Sequence, residues 1–138
     1  RVDPVIKGKP AKVFILGGVN DISHNLTPDS IATAMEALIV KIKTGTPRTK
    51  IYLQSLLPID NSFNRYKAMA GKEQVIVETN ALLKEVAARQ GVTWIDLYSK
   101  MVDPSTGSMK KGLTNDGLHL MGAGYLVWRD AVLPYVNE

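Results

Sequence analysis

Three short apolar runs punctuate the chain, and each is bounded by a residue that breaks regular structure. Val13-Phe14-Ile15-Leu16 runs into Gly17-Gly18, Ile51-Tyr52-Leu53-Gln54-Ser55-Leu56-Leu57 stops at Pro58, and Val92-Thr93-Trp94-Ile95-Asp96-Leu97 follows Gly91. The first two are close to continuously apolar, as strands buried on both faces are. Elsewhere the apolar spacing lengthens to that of a helix. Thr27-Pro28 supplies an N-cap and a proline for the first turn, and Ile31, Met35, Leu38 and Ile42 then share one face until Gly45 and Pro47. A second helix is expected over 72–90, burying Val75, Thr79, Leu82, Leu83 and Val86 and stopping at Gly91. A third starts near Met121 and carries Tyr125, Trp128 and Val132, with Pro134 limiting its regular continuation.

Strands alternating with helices predict a three-layer α/β/α domain around a parallel sheet. Two long irregular stretches, 59–71 and 98–120, interrupt the alternation, and loops of that length in a compact domain are usually functional or disordered. Three parallel strands leave two edges that such sheets normally bury, so part of the sheet is expected to lie outside this chain.

The length of 138 residues fits a single domain spanning 1–138, and 45% hydrophobic content excludes a mainly disordered chain. No apolar run approaches the ~18 residues of a membrane span. With no cysteine there is no disulfide scaffold, thiol nucleophile or thiolate metal site. Seventeen Lys and Arg against thirteen Asp and Glu leave a net charge of +4. The cations are dispersed (Lys7, Lys9 and Lys12; Lys41, Lys43, Arg48 and Lys50; Lys110 and Lys111) and form no stripe, so they predict a solvated surface and no nucleic-acid partner. The chain opens with Arg1-Val2-Asp3-Pro4, without an initiator Met or a signal peptide, which reads as a cut. The compartment stays open, a periplasmic or secreted one included.

Two blocks carry candidate chemistry. Gly17-Gly18-Val19-Asn20-Asp21 follows the first strand, at the end where open α/β sheets place their ligands. Its glycines permit a sharp turn, Asn20 offers an uncharged amide donor suited to a developing oxyanion, and Asp21 can fix the turn by accepting backbone N–H groups. Asn115-Asp116-Gly117-Leu118-His119-Leu120 precedes the last helix. An Asp and a His three positions apart can meet within one turn, the carboxylate orienting the ring and leaving its other nitrogen as a base. His24, the second histidine, has no evident partner in the sequence. Asp103-Pro104-Ser105-Thr106-Gly107 has too few acidic ligands for a calcium loop and reads as a turn, so no metal site is expected. Asp60-Asn61-Ser62-Phe63-Asn64-Arg65-Tyr66 is polar with interleaved aromatics and is a candidate lining for an acyl or sugar pocket.

Taken together, Gly18-Val19-Asn20-Asp21 and Asp116-Gly117-Leu118-His119 resemble the third and last blocks of the SGNH (GDSL-type) hydrolases, in the same order and over almost the whole chain. The resemblance implies a flavodoxin-like parallel sheet and a serine ester hydrolase, an acylhydrolase or carbohydrate O-acetylesterase among them. It implies a small-molecule ester substrate and no cofactor. His119 would be the general base, Asp116 its orienting partner and Asn20 an oxyanion donor, with Gly18 in the same oxyanion block and Asp21 supporting it.

The chain departs from that pattern at its start. The family opens with a strand and a Gly-Asp-Ser block holding the nucleophile, followed by a second block with a glycine that donates a backbone N–H, and neither is present. Pro28-Asp29-Ser30 comes nearest, but it opens a helix and lies after the Asn20 block. None of Ser23, Ser30, Ser55, Ser62, Ser99, Ser105 and Ser108 is a candidate nucleophile. The chain is therefore expected to be the C-terminal two-thirds of such a domain, with its serine on a missing N-terminal segment or a second chain. An open sheet edge could also drive homo-oligomer formation. A non-catalytic small-ligand or glycan-binding module on the same fold is the alternative. A nucleotide-binding flavodoxin-like domain would need a phosphate loop, and Gly17-Gly18 alone does not make one.

Overall fold

A computed structural model describes residues 2–138; Arg1 lies outside the described residues. In chain order the elements are α1 (Asp3–Gly8), β1 (Lys12–Ile15), α2 (Val19–Ser23), α3 (Pro28–Gly45), β2 (Lys50–Gln54), α4 (Glu73–Gln90), β3 (Thr93–Ile95), α5 (Tyr98–Met101) and α6 (Gly122–Val136). The strands form one parallel sheet in the order β1-β2-β3, with Val13 opposite Ile51 and Leu53 opposite Trp94.

Side-chain alternation along the strands builds the three layers. Val13, Ile15, Ile51 and Leu53 join the core under α3 and α4, while Phe14, Tyr52 and Ile95 pack with Trp128, Val132 and Tyr135 of α6. Phe14 stacks on Tyr52, with centroids 4.5 Å apart. The one polar side chain buried at the end of β2, Gln54, accepts the Trp128 indole N–H at 2.7 Å. No helix is long and apolar enough to cross a membrane among the described residues.

The long helices begin and end where local chemistry directs. Thr27 Oγ1 caps α3 by accepting the Ser30 N–H at 3.2 Å. Gly91 takes a left-handed conformation after α4, and Val92 N–H reaches back to the Ala87 carbonyl at 3.0 Å. The buried faces differ from expectation by a step. α3 buries Ile31, Ala32, Met35, Ile39 and Ile42, with Leu38 half-buried, and α4 buries Ile76, Thr79, Leu83, Val86 and Ala87, leaving Val75 and Leu82 half-buried. α6 runs two residues past Pro134 and exposes Tyr125.

The C-terminal end of α6 is fastened by cations. Lys12 Nζ donates to the carbonyls of Tyr135 (2.7 Å), Val136 (3.0 Å) and Glu138 (2.6 Å), and Lys50 and Tyr52 both bind the Glu138 carboxylate. At the other end of the sheet, Asn80 grips the chain leaving β2. Its Oδ1 accepts the Leu56 N–H at 2.7 Å and its amide donates to the Leu56 carbonyl at 3.1 Å.

The two irregular stretches are ordered. Residues 59–71 contain 3-10 turns at Asn61–Phe63 and Lys67–Met69. Residues 98–120 start with α5 and close on two antiparallel bridges, Val102 to Met109 and Thr114 to Leu120, over a small core of Met101, Met109 and Leu113.

Candidate active site

Both sequence blocks lie beyond the C-terminal ends of the strands and line one cleft. The chain leaves β1 through Gly17 and Gly18. Gly18 has φ +123°, and a Cβ there would lie 3.2 Å from Ile31 Cγ2 and 3.5 Å from Leu56, so a side chain would be both strained and crowded. The Gly18 carbonyl then accepts the Ile22 N–H at 3.1 Å, closing the single turn of α2. The Asn20 carbonyl is held by three donors: Ser23 Oγ at 2.6 Å, His24 Nδ1 at 2.7 Å and His24 N–H at 3.1 Å. His24 thus has a partner after all, and it belongs to the block. The Asn20 side chain is left on the exposed surface, lining the cleft. Asp21 supports the turn through its carbonyl, which accepts the Leu26 N–H at 3.0 Å and the His24 N–H at 3.2 Å. Among the described residues no backbone N–H donates to its carboxylate.

The second block forms a tight turn centred on Asp116. Asp116 Oδ1 accepts the backbone N–H groups of Leu118 and His119, each at 2.8 Å, and Oδ2 lies 2.8 Å from His119 Nδ1. These backbone donors, with the imidazole after them, hold the Asp116 carboxyl far below the ordinary carboxylate range, so it is ionised at neutral pH. A carboxylate only accepts hydrogen bonds, so Nδ1 carries the proton and Nε2 is the basic nitrogen of neutral His119. Asp116 is screened, its side chain 15% exposed, while that of His119 is 67% exposed.

Three further residues, none of them assigned such a part by sequence reasoning, lock this turn. Thr114 Oγ1 accepts the Gly117 N–H at 3.0 Å and donates to the His119 carbonyl at 2.6 Å. Gly117 has φ +89°, and its carbonyl accepts the Asp60 N–H at 2.9 Å; a Cβ there would fall 2.1 Å from the Asp60 oxygen. Tyr66 Oη donates to Asp116 Oδ2 at 3.1 Å and lies 3.2 Å from His119 Nδ1. In the sequence Tyr66 is one aromatic of a polar loop, and only the fold, fifty positions on, brings it to Asp116.

The cleft, about 170 Å³, has an apolar wall of Leu16, Leu56, Leu57, Pro58 and Ile59 on one side, with Asn20 and His119 at its rim. Asn20 and His119 also line a second, mixed recess, where Ser23, Arg65, Tyr66 and Lys67 alternate with Val19, Met69 and Leu118. Among the described residues no serine hydroxyl is within hydrogen-bond distance of His119. Ser55 is buried, its Oγ accepting the N–H groups of Leu97 and Tyr98, and Ser30 lies in the first turn of α3. No group of three or more His, Asp or Glu suited to a metal occurs among the described residues.

Comparison with known proteins bears on the family and the fold. The sequence profile of the GDSL-like lipase/acylhydrolase family matches residues 1–127. Curated proteins give no match. Among solved structures, an inferred acylhydrolase of Bacteroides fragilis NCTC 9343 superposes with a TM-score of 0.87 at 27% identity, over 99% of this chain and 65% of that one. The lipase/acylhydrolase from Enterococcus faecalis gives 0.77 at 25% identity, over 98% and 65%. An acetyl-xylooligosaccharide esterase from Geobacillus shares the fold, with a TM-score of 0.75 at 18% identity over 99% and 64%. The chain therefore spans just under two thirds of the length of these structures.

Proposed function

Since the chain belongs to the GDSL-like lipase/acylhydrolase family, we propose that it supplies the base and oxyanion donor of a serine ester hydrolase. The observation that carries the reading is the 2.8 Å contact between Asp116 Oδ2 and His119 Nδ1, with Asn20 on the same cleft. In this mechanism a serine oxygen attacks the ester carbonyl carbon while His119 Nε2 takes the hydroxyl proton. Asn20 donates its side-chain amide to the oxyanion of the tetrahedral intermediate. As that intermediate collapses, His119 returns the proton to the departing alcohol, and water then releases the acyl group by the same steps. Asp116 stays ionised throughout and stabilises the transient imidazolium.

The serine is proposed to lie on a segment preceding Arg1 or on a second chain. Two observations support this: no serine of the described residues approaches His119, and the chain spans 65% of the length of its structural relative. β1, paired only with β2 among the described residues, offers the edge for such a segment. Without that segment the same surface is expected to pair with a second copy. Sedimentation should then give a species heavier than 15.1 kDa, and a monodisperse monomer would count against it. The small apolar cleft favours a short acyl group, and the polar side chains that the 59–71 loop brings beside His119, Arg65, Tyr66 and Lys67, favour a carbohydrate hydroxyl as the alcohol.

The test is the intact denatured mass after treatment with a fluorophosphonate. A labelled longer chain or second peptide is expected. An unlabelled 15.1 kDa species alone would favour a ligand-binding module on this fold. In the complete enzyme His119→Ala should lower kcat by about 10²–10⁴, and Asn20→Ala by about 10²–10³. Near-normal hydrolysis of a short activated ester by either variant would overturn the assignment.

A further inference from the structure

The loop over 59–71 delivers one hydroxyl to the centre of the Asp116–His119 pair. Tyr66 Oη is 3.1 Å from Asp116 Oδ2 and 3.2 Å from His119 Nδ1, and its ring stands edge-on to the imidazole, centroids 5.7 Å apart at 67°. The phenol has one proton. Asp116 is ionised and accepts it, so toward the imidazole the Tyr66 oxygen is an acceptor. Nδ1–H therefore faces two acceptors, Oδ2 at 2.8 Å and Oη at 3.2 Å, and both favour the tautomer with its proton on Nδ1. Burial, followed by the Asp116 carboxylate, pushes the Tyr66 hydroxyl above the ordinary phenol range, so its proton remains available at any neutral working pH.

The ring also limits how His119 can move. Tyr66 is half-buried against the core under α3 and α4 and sits between the two 3-10 turns, whereas His119 is largely exposed and has no such packing of its own. Asn61, at the start of the loop, donates to the Met69 carbonyl at 2.8 Å and to Glu73, tying the loop to the first turn of α4. The imidazole orientation is thus referred through Tyr66 to the long-helix layer.

We infer that Tyr66 is a positioning residue of the acid–base pair, fixing the Nδ1–H tautomer and the orientation of His119 through its hydroxyl. The inference rests on the hydrolase reading for its consequence in catalysis, but its structural content can be read without any ester. The chain is labelled with ¹⁵N-histidine and the ring nitrogens are observed about two pH units above the ordinary imidazole pKa, a His24→Gln variant assigning the two histidines. Unmodified His119 is expected mainly as the Nδ1–H tautomer. In Tyr66→Phe the Nδ1–H to Nε2–H ratio should fall by about threefold to tenfold, the scale of one hydrogen bond. A Tyr66→Phe protein with wild-type core amide resonances and an unchanged ratio overturns the inference.

A second measurement needs no variant. In the unmodified chain the His119 Nδ1 proton should show a nuclear Overhauser effect to the Tyr66 ring protons, and its absence in a resolved spectrum also overturns the inference. In the complete enzyme Tyr66→Phe should lower kcat about tenfold with KM unchanged. A tautomer shift in a complete enzyme that cleaves no ester would sink the hydrolase reading while leaving the Tyr66 contact established.

Discussion

Thr114 brings a single hydroxyl into a buried turn and uses it to bind both sides: it accepts the Gly117 N–H and donates to the His119 carbonyl. Thr114→Val keeps the shape and strands both groups, so it should cost about 1–3 kcal/mol in urea unfolding and lower the activity of the complete enzyme. Gly117 is the less forgiving position. Gly117→Ala would need a left-handed backbone at φ +89° and would push into the Asp60 carbonyl, so its cost should exceed the ~1 kcal/mol of an ordinary Gly→Ala strain. A Gly117→Ala protein as stable as wild type would contradict the geometry. At this scale the sequence was informative where chemistry is local. Asp116 and His119 are three positions apart, and one turn suffices to join them. Thr114 is as near in the chain, but a threonine hydroxyl there gives no sign of which groups it binds, and Tyr66 and Asp60 reach the turn only through contacts that the folded loops create.

Glu36 of α3 receives Arg89 and Gln90 of α4, through contacts of 2.8 Å from the Arg89 guanidinium and 2.8 Å from the Gln90 amide. The Arg89 hydrogen bond, with Gln90 after it, lowers the Glu36 carboxyl from an ordinary 4.5 to about 2. A depressed carboxyl stabilises the fold while ionised. The contribution is therefore complete above 4.5 and is lost as the pH falls through about 2. The urea midpoint of Glu36→Gln should lie below wild type at neutral pH, and the two should converge as the pH is lowered across that window. A constant gap would sink the linkage. The long helices were legible because cap, period and stop agree, as at Thr27, Ile31 to Ile42 and Gly45 in α3. α1 and α2 were not. α2 is a single turn whose stability comes from Ser23 and His24 closing on the Asn20 carbonyl, and α1 is short, with Ile6 packed against Gly45. Neither has an apolar period long enough to detect.

Across the molecule, the two ends of the sheet do different work. At the start of the strands, Lys12 and Lys50 fasten the end of α6; beyond their other ends, α2 and the Asp116 turn form the cleft. The parallel sheet and its layers could be read from strand runs alternating with amphipathic helices, because burial on two faces leaves a continuous apolar signature. The buried faces lie one step from the periodic expectation because Ile39 and Ile76 are the residues fully buried in the main core, with Leu38 and Val75 packed at its margin. The stitch between Gly117 and Asp60 has a dynamic consequence. Asn20 is tied into a turn beyond the end of β1, whereas His119 is exposed and reaches the core only through Tyr66 and the stitch to the 59–71 loop. The histidine's half of the site is therefore expected to open while the sheet stays shut. Amide exchange in a mild-denaturant series should separate the two. Asp60, Leu118 and His119 should exchange at rates that denaturant barely changes, and Tyr52 and Leu53 only with global unfolding. On that reading, heating the complete enzyme would lose the proposed ester hydrolysis before the fold melted, and cooling would restore it without refolding.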